Sequence, residues 1–260
     1  MTTRLVILLL CAFTFTALPA QEKVTRIHWV GSAWMKFHGL DRQCGGWLEM
    51  QPDFGKVRQT VDKLWPLHAL LDEPPSKMQL YGDARTQPEI IAEMKAGEFD
   101  ILVLSVQLEM VAKDSNAAAF TRTMDFFSGE AKRNHARLVF AAYGTKFDDT
   151  CARGMERLRP LAKQYGAVIC PWWTAMKLAA AERPDAPLFD AKVKGHPGPG
   201  STYLNLCTFL FALTNTPPEK LTLPLEYQGW DAAKPPCQLS ADEARFFQQA
   251  AWKAWESVRD

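Results

Sequence analysis

The sequence has no marked excess of charge of either sign: 30 Lys and Arg stand against 29 Asp and Glu, a formal net charge of +1 over 260 residues. There is also no basic run of four or more residues, so neither a nucleic-acid surface nor an anionic-lipid patch is expected. Metal-ligand spacing is missing. The chain has 6 cysteines and 5 histidines, but neither C-x-x-C nor H-x-x-x-H occurs, so no metal site is expected. No G-x-G-x-x-G opens a helix after the first apolar run, whose exit reads Gly31-Ser32-Ala33-Trp34; a dinucleotide turn is thereby excluded and no cofactor is implied. Internal repeats and low-complexity segments are absent too, and the chain is expected to form one domain.

The first 20 residues stand apart from the rest. Arg4, the apolar run Leu5 to Phe15 and then Thr16-Ala17-Leu18-Pro19-Ala20 read as a secretory signal peptide, too short and too weakly flanked for an anchor. Cleavage after Ala20 is expected, although Leu18 is larger than the residue preferred three positions before the cut. Cys11 raises a lipoprotein as the alternative, but Leu8-Leu9-Leu10 lacks the small residue such signals carry before the cysteine. The expectation is a secreted or periplasmic protein, near neutral once Arg4 is removed, with no membrane association after cleavage. Five cysteines then remain, Cys44, Cys151, Cys170, Cys207 and Cys237. Cys170 and Cys207 sit in apolar runs as buried hydrophobes, whereas Cys44 with Cys237 or Cys151 is open to pairing in an oxidising compartment.

Along residues 21–260, apolar runs and helical patterns alternate in a βαβα order, the signature of a parallel sheet covered on both faces. Strands are predicted at Thr25–Val30, Lys77–Tyr81, Asp100–Val106, Arg137–Tyr143 and Ala167–Cys170. Helices are predicted at Asp53–Leu71, Pro88–Ala96, Asn116–Asn134, Asp148–Tyr165, Thr174–Glu182 and Ser201–Leu213. The Pro-rich stretch 216–238 reads as an irregular arm, and Ser240-Ala241-Asp242-Glu243 is a capping-box start for a terminal helix over 240–258. The expected architecture is a three-layer α/β/α sandwich, flavodoxin-like, with about five parallel strands and the first strand inside the sheet.

In such a sheet, ligands bind beyond the carboxyl ends of the strands. That rule selects Gly31-Ser32-Ala33, Gly82-Asp83, Ser105 to Gln107 and Tyr143-Gly144-Thr145, with His196 in the loop before the penultimate helix able to reach the same rim. Each has a plain alternative. Gly31-Ser32-Ala33 is also an ordinary strand-exit turn with a serine cap, Gly82-Asp83 suits any turn, and His196 stands among Pro197, Gly198, Pro199 and Gly200, which punctuate any chain. Asp190 is as readily solvated as paired. His28 reads as a satisfied sheet histidine; His38, His68 and His135 read as surface residues. Trp29, Trp34, Trp47, Trp172 and Trp173 border the predicted rim, where they suit either sugar-stacking platforms or plain core packing.

From Ile27 to about Pro218 the arrangement resembles the SGNH (GDSL-type) hydrolases, specifically a secreted bacterial branch. The resemblance rests on the Gly31 turn, on Gly166-Ala167-Val168-Ile169-Cys170-Pro171 with Trp173, and on Arg183-Pro184, Leu188-Phe189-Asp190 and His196-Pro197 leading into Tyr203-Leu204. It implies hydrolysis of acyl esters, acetyl groups on a carbohydrate or small molecule foremost. By resemblance, His196 is the base, Asp190 its orienting acid and Ser32 the nucleophile, while Gly82, Gln107 and Ser105 form the oxyanion hole. Two positions depart from the pattern. Ala33 stands where the nucleophile belongs, one residue after Ser32, and Val193 stands three residues before His196 where the family has Asp. A non-catalytic relative that binds a glycan or an ester-bearing polymer is the competing expectation. The oligomeric state stays open.

Overall fold

The computed structural model describes residues 23–32, 34–35, 39–65, 67, 71, 79–80, 87–189, 198–227 and 237–259. The main elements are β1 (Val24–Gly31), α1 (Leu40–Glu49), β2 (Lys56–Trp65), β3 (Gln79–Leu80), α2 (Gln87–Ala96), β4 (Ile101–Gln107), α3 (Leu108–Val111), α4 (Ala117–Arg133), β5 (Arg137–Tyr143), α5 (Asp149–Tyr165), β6 (Val168–Cys170), α6 (Trp172–Glu182), α7 (Pro199–Thr214), β7 (Glu226–Tyr227), β8 (Cys237–Gln238) and α8 (Ala241–Glu256). The sheet order is β3-β2-β1-β4-β5-β6. Five strands run parallel, and the short β3 pairs antiparallel to β2 at the edge.

Strand alternation divides the interior into two cores. Ile27, Trp29, Ile101, Val103, Val139 and Ala141 face α1, α6, α7 and α8. Val30, Leu102, Leu104, Leu138, Phe140 and Ala142 face α2, α4 and α5. Helices cover both faces, so the central strands are apolar at nearly every position, as in Ile101–Val106, buried throughout. The result is a three-layer α/β/α sandwich with β1 inside the sheet, between β2 and β4.

Three segments differ from the sequence reading. Where a helix was expected over 53–71, the chain forms β2, the second parallel strand. Its Val57, Gln59 and Val61 are half-buried while Lys56, Arg58 and Thr60 are exposed, a period of two that only a strand with one solvated face produces. Within the run expected as a parallel strand at 77–81, the described residues form the antiparallel β3. The helix missing from the sequence reading is α1. Its adjacent Gly45 and Gly46 weigh against a helix by propensity, but a Cβ at Gly45 would lie 2.2 Å from the Gln59 amide nitrogen. A larger residue at 45 would push the Gln59 amide aside, and Gln59 accepts the Trp29 indole N–H at 2.7 Å.

Termini of the helices follow their local chemistry. Asp148 caps α5, accepting the Cys151 backbone N–H at 3.1 Å. Ser240 and Glu243 form a reciprocal capping box at the start of α8. Within the arm before it, β7 and β8 form a two-stranded antiparallel pair.

Candidate active site

The rim is built outward from Gly31, the last residue of β1. Its φ is 143°, and a Cβ there would lie 2.5 Å from Ser105 Cβ on β4. Only glycine lets these neighbouring strand ends approach so closely. The next residue, Ser32, is 6 % exposed. Its Oγ lies 3.3 Å from Ser105 Oγ and accepts the Trp34 backbone N–H at 3.3 Å. Ser105 and Gln107 occupy alternate positions at the end of β4, with Gln107 pairing in register with Tyr143 of β5.

Ser32, Ser105 and Gln107 all line one cavity, with Tyr143, Met110 and Phe120 among its other walls. Its volume is about 10 Å³, space on the order of one water. Trp34 stacks on Tyr143 with ring centroids 4.8 Å apart. Both are buried, so the pair forms a fixed aromatic wall beside Ser32. Beyond it, Glu109 at the start of α3 accepts both the backbone N–H and the hydroxyl of Thr145 at 2.6 Å, tying β4's exit to β5's. At Gly144 a Cβ would lie 2.7 Å from Cys151 Sγ and 2.8 Å from the Trp173 ring.

Of the predicted site residues, Ser32, Ser105 and Gln107 share this cavity, and Ser32 and Ser105 are in contact. Asp190, His196, Gly82, Ala33 and Val193 lie outside the described residues. The ends of the loop that carries Asp190 and His196 are fixed, however. The Gly198 N–H donates to the Leu188 carbonyl at 2.9 Å. Phe189 packs against Phe147, which follows β5, with centroids 5.1 Å apart. The base of that loop is therefore anchored on the rim. Immediately after it, Ser201 and Thr202 hydroxyls donate to the Gly198 carbonyl and fasten the first turn of α7.

Several readings left open by the sequence are decided by packing. Trp29, Trp34, Trp47, Trp172 and Trp173 are all at most 4 % exposed, so none offers a face for a sugar ring. Trp29 stacks on Phe209 inside the core, and the indoles of Trp172 and Trp173 donate to the carbonyls of Asn205 and Lys146. The sequence pattern could not separate these roles because tryptophan serves both. Cys44, Cys151, Cys170, Cys207 and Cys237 are all free thiols, so neither proposed Cys44 disulfide forms. Burial pushes Cys44 and Cys170 well above the usual thiol range and Cys151 to about 12, with Glu109 adding to the last. These thiols are inert packing groups. His28 is a sheet histidine, 2.6 Å from Asp62 and edge-on to Phe99. Sequence reading missed Glu109, Met110 and Phe120; the only signal was their position just after a strand exit.

Solved structures with this architecture were found. A DUF4886 family protein from Bacteroides uniformis superposes with a TM-score of 0.60 at 12 % identity, over 89 % of this chain and 95 % of its own. A protein from Slackia heliotrinireducens classed with the SGNH hydrolases gives 0.50 at 18 % identity, over 75 % of this chain and all of its own. LAE5, an alpha/beta hydrolase enzyme from the metagenome of Lake Arreo, gives 0.51 at 10 % identity, over 72 % and 94 %. No protein-family model matches the sequence, and no curated protein does. The chain shares its fold with these solved structures, an SGNH-type hydrolase among them.

Proposed function

We propose that this chain is an exported, slow ester hydrolase that acts on acyl groups, acetyl first, carried by a carbohydrate or small molecule. The observation behind this reading is the convergence of Ser32, Ser105 and Gln107 on one cavity at the carboxyl ends of β1 and β4, where this class of sheet takes its ligands. Ser32 serves as nucleophile and His196 as general base, with Asp190 orienting the imidazole. Ser105, Gln107 and Gly82 supply the donors for the developing oxyanion. Turnover is slow because Ser32 Oγ already accepts the Trp34 N–H and contacts Ser105; it must exchange these partners before attack. Those same contacts favour a second reading, in which Ser32 is a structural turn cap and the rim binds an ester-bearing glycan without cleaving it.

Initial rates on acetylated sugars and a short aryl ester separate the two. The hydrolase reading expects measurable turnover that Ser32→Ala reduces by roughly 10³-fold or more. Negligible turnover in the wild type, raised by Ala33→Ser, supports the second reading. Turnover that survives both Ser32→Ala and His196→Ala refutes a rim site of this kind.

A further inference from the structure

The outer edge of the sheet carries a second concavity, away from the rim. β6 ends the strand order, and among the described residues no strand pairs with its outer side. α5 packs on one face of the sheet and α8 on the other. A groove lined by residues of both helices and of β6 therefore runs along this edge; its volume is about 440 Å³. It begins at Ala167–Ile169 and at the last turns of α5 and α8, so it opens at the amino ends of the parallel strands, opposite Ser32. Its apolar surface comes from Pro160, Val168 and Val258, with Ile169 and Trp255 buried beneath. Arg159, Lys163 and Arg259 stand around it, and no described carboxylate lines it.

Charge decides what such a groove attracts. The carboxyl ends of α5 and α8 each contribute roughly half a negative charge. Three full cations outweigh them. Arg159 donates one bond to the Ser257 carbonyl at 2.7 Å, which closes the end of α8 and keeps the guanidinium's charge at the groove. An edge strand also offers backbone donors and acceptors to any extended chain that lies beside it.

We infer that this edge is a docking groove for an extended acidic polypeptide segment, which adds to β6 as a further strand. Main-chain bonding to β6 holds the segment. Apolar side chains of the segment meet the half-buried Val168 and Val258, and acidic ones meet Arg159, Lys163 and Arg259. A second copy of this chain is the poorer occupant, because edge-to-edge pairing sets the same three cations against each other.

The test titrates the whole mature chain with a synthetic peptide of alternating Val and Glu and follows hydrogen exchange over residues 168–170. Saturable binding that weakens with salt and slows exchange at β6 is expected. The pair Lys163→Glu with Arg259→Glu should weaken binding by about tenfold or more at unchanged melting temperature. Lys163→Gln with Arg259→Gln should give a smaller loss in the same direction. The inference is overturned by no binding at millimolar peptide, by equal binding of a Val and Lys peptide, or by unchanged affinity in both pairs. A wild-type dimer with β6 protected would overturn it as well, by naming a second copy as the occupant.

Discussion

Gly31 and Ser105 lie so close across the β1–β4 ladder that a single added carbon at residue 31 would sit 2.5 Å from Ser105 Cβ. Register sets this contact: Val30 pairs with Leu104, which brings the following residues together. The same approach sets Ser32 Oγ against Ser105 Oγ. The backbone geometry of the Ser32 turn thus depends on one absent side chain.

Gly31→Ala is expected to destabilise the protein by about 2 to 4 kcal/mol, combining the unfavourable positive φ with overpacking against Ser105. Adding Ser105→Gly should recover only part of that loss. It removes the collision but not the backbone strain. Urea midpoints for the two single variants and the double variant measure both terms; full recovery in the double variant would show that φ costs nothing.

Buried thiols make stability fall at alkaline pH. Cys44, Cys151 and Cys170 are all raised by burial above the ordinary thiol value of 9.0, Cys151 to about 12. Below 9 both the folded and unfolded chains hold these protons, so the thiols add no pH dependence. Above 9 the unfolded chain releases them while the folded chain keeps them, and each thiol costs about 1.4 kcal/mol per pH unit until its folded value is passed. Denaturation midpoints should therefore drop between pH 9 and 11, and Cys151→Ala should flatten that drop. At pH 8, a thiol reagent should modify Cys237 first, since the other four are buried.

What the sequence revealed follows from how local each signal is. The strands at 101–107 and 137–143 are legible because both faces are covered, which leaves nearly unbroken apolar runs. β2 is not, because Lys56, Arg58 and Thr60 lie on a solvated face and Asp62 is buried only by virtue of His28, 34 residues earlier. α1 was hidden by Gly45, whose purpose appears only when Gln59 is packed against it. At the rim, the strand-exit rule brings Ser32, Ser105 and Gln107 to one cavity because it depends on topology alone. Whether a tryptophan near the rim is a platform or a core ring depends on packing from α6 and α7, and no spacing rule carries it.

Asn205 is a place where stability can be gained. It is 0 % exposed on α7, and neither polar atom of its amide has a hydrogen-bond partner among the described residues. Its backbone carbonyl accepts the Trp172 indole N–H at 3.2 Å, a bond that does not need the side chain. Replacing the amide by an apolar group of similar volume removes the desolvation penalty. Asn205→Leu should stabilise by about 1 to 2 kcal/mol in chemical denaturation, and a loss of stability would show that the amide is satisfied in the folded protein.

The closure between Leu188 and Gly198 provides the last test, because it joins a described contact to the loop that carries Asp190 and His196. A Cβ at Gly198 would sit 2.6 Å from the Pro187 carbonyl oxygen and 2.8 Å from the Phe189 backbone. Those neighbours are main chain, so the closure itself must shift. Gly200 is also crowded, but its nearest neighbour is the Phe247 ring at 2.8 Å, a side chain of α8. Gly198→Ala and Gly200→Ala should each cost about 1 to 3 kcal/mol of stability. Only Gly198→Ala should accelerate exchange of the amide that bonds Leu188, and only it should lower ester turnover, by on the order of 10²-fold if His196 acts from that loop. Equal turnover in the two variants, with the exchange difference present, would separate the closure from the chemistry and remove His196 from its proposed role.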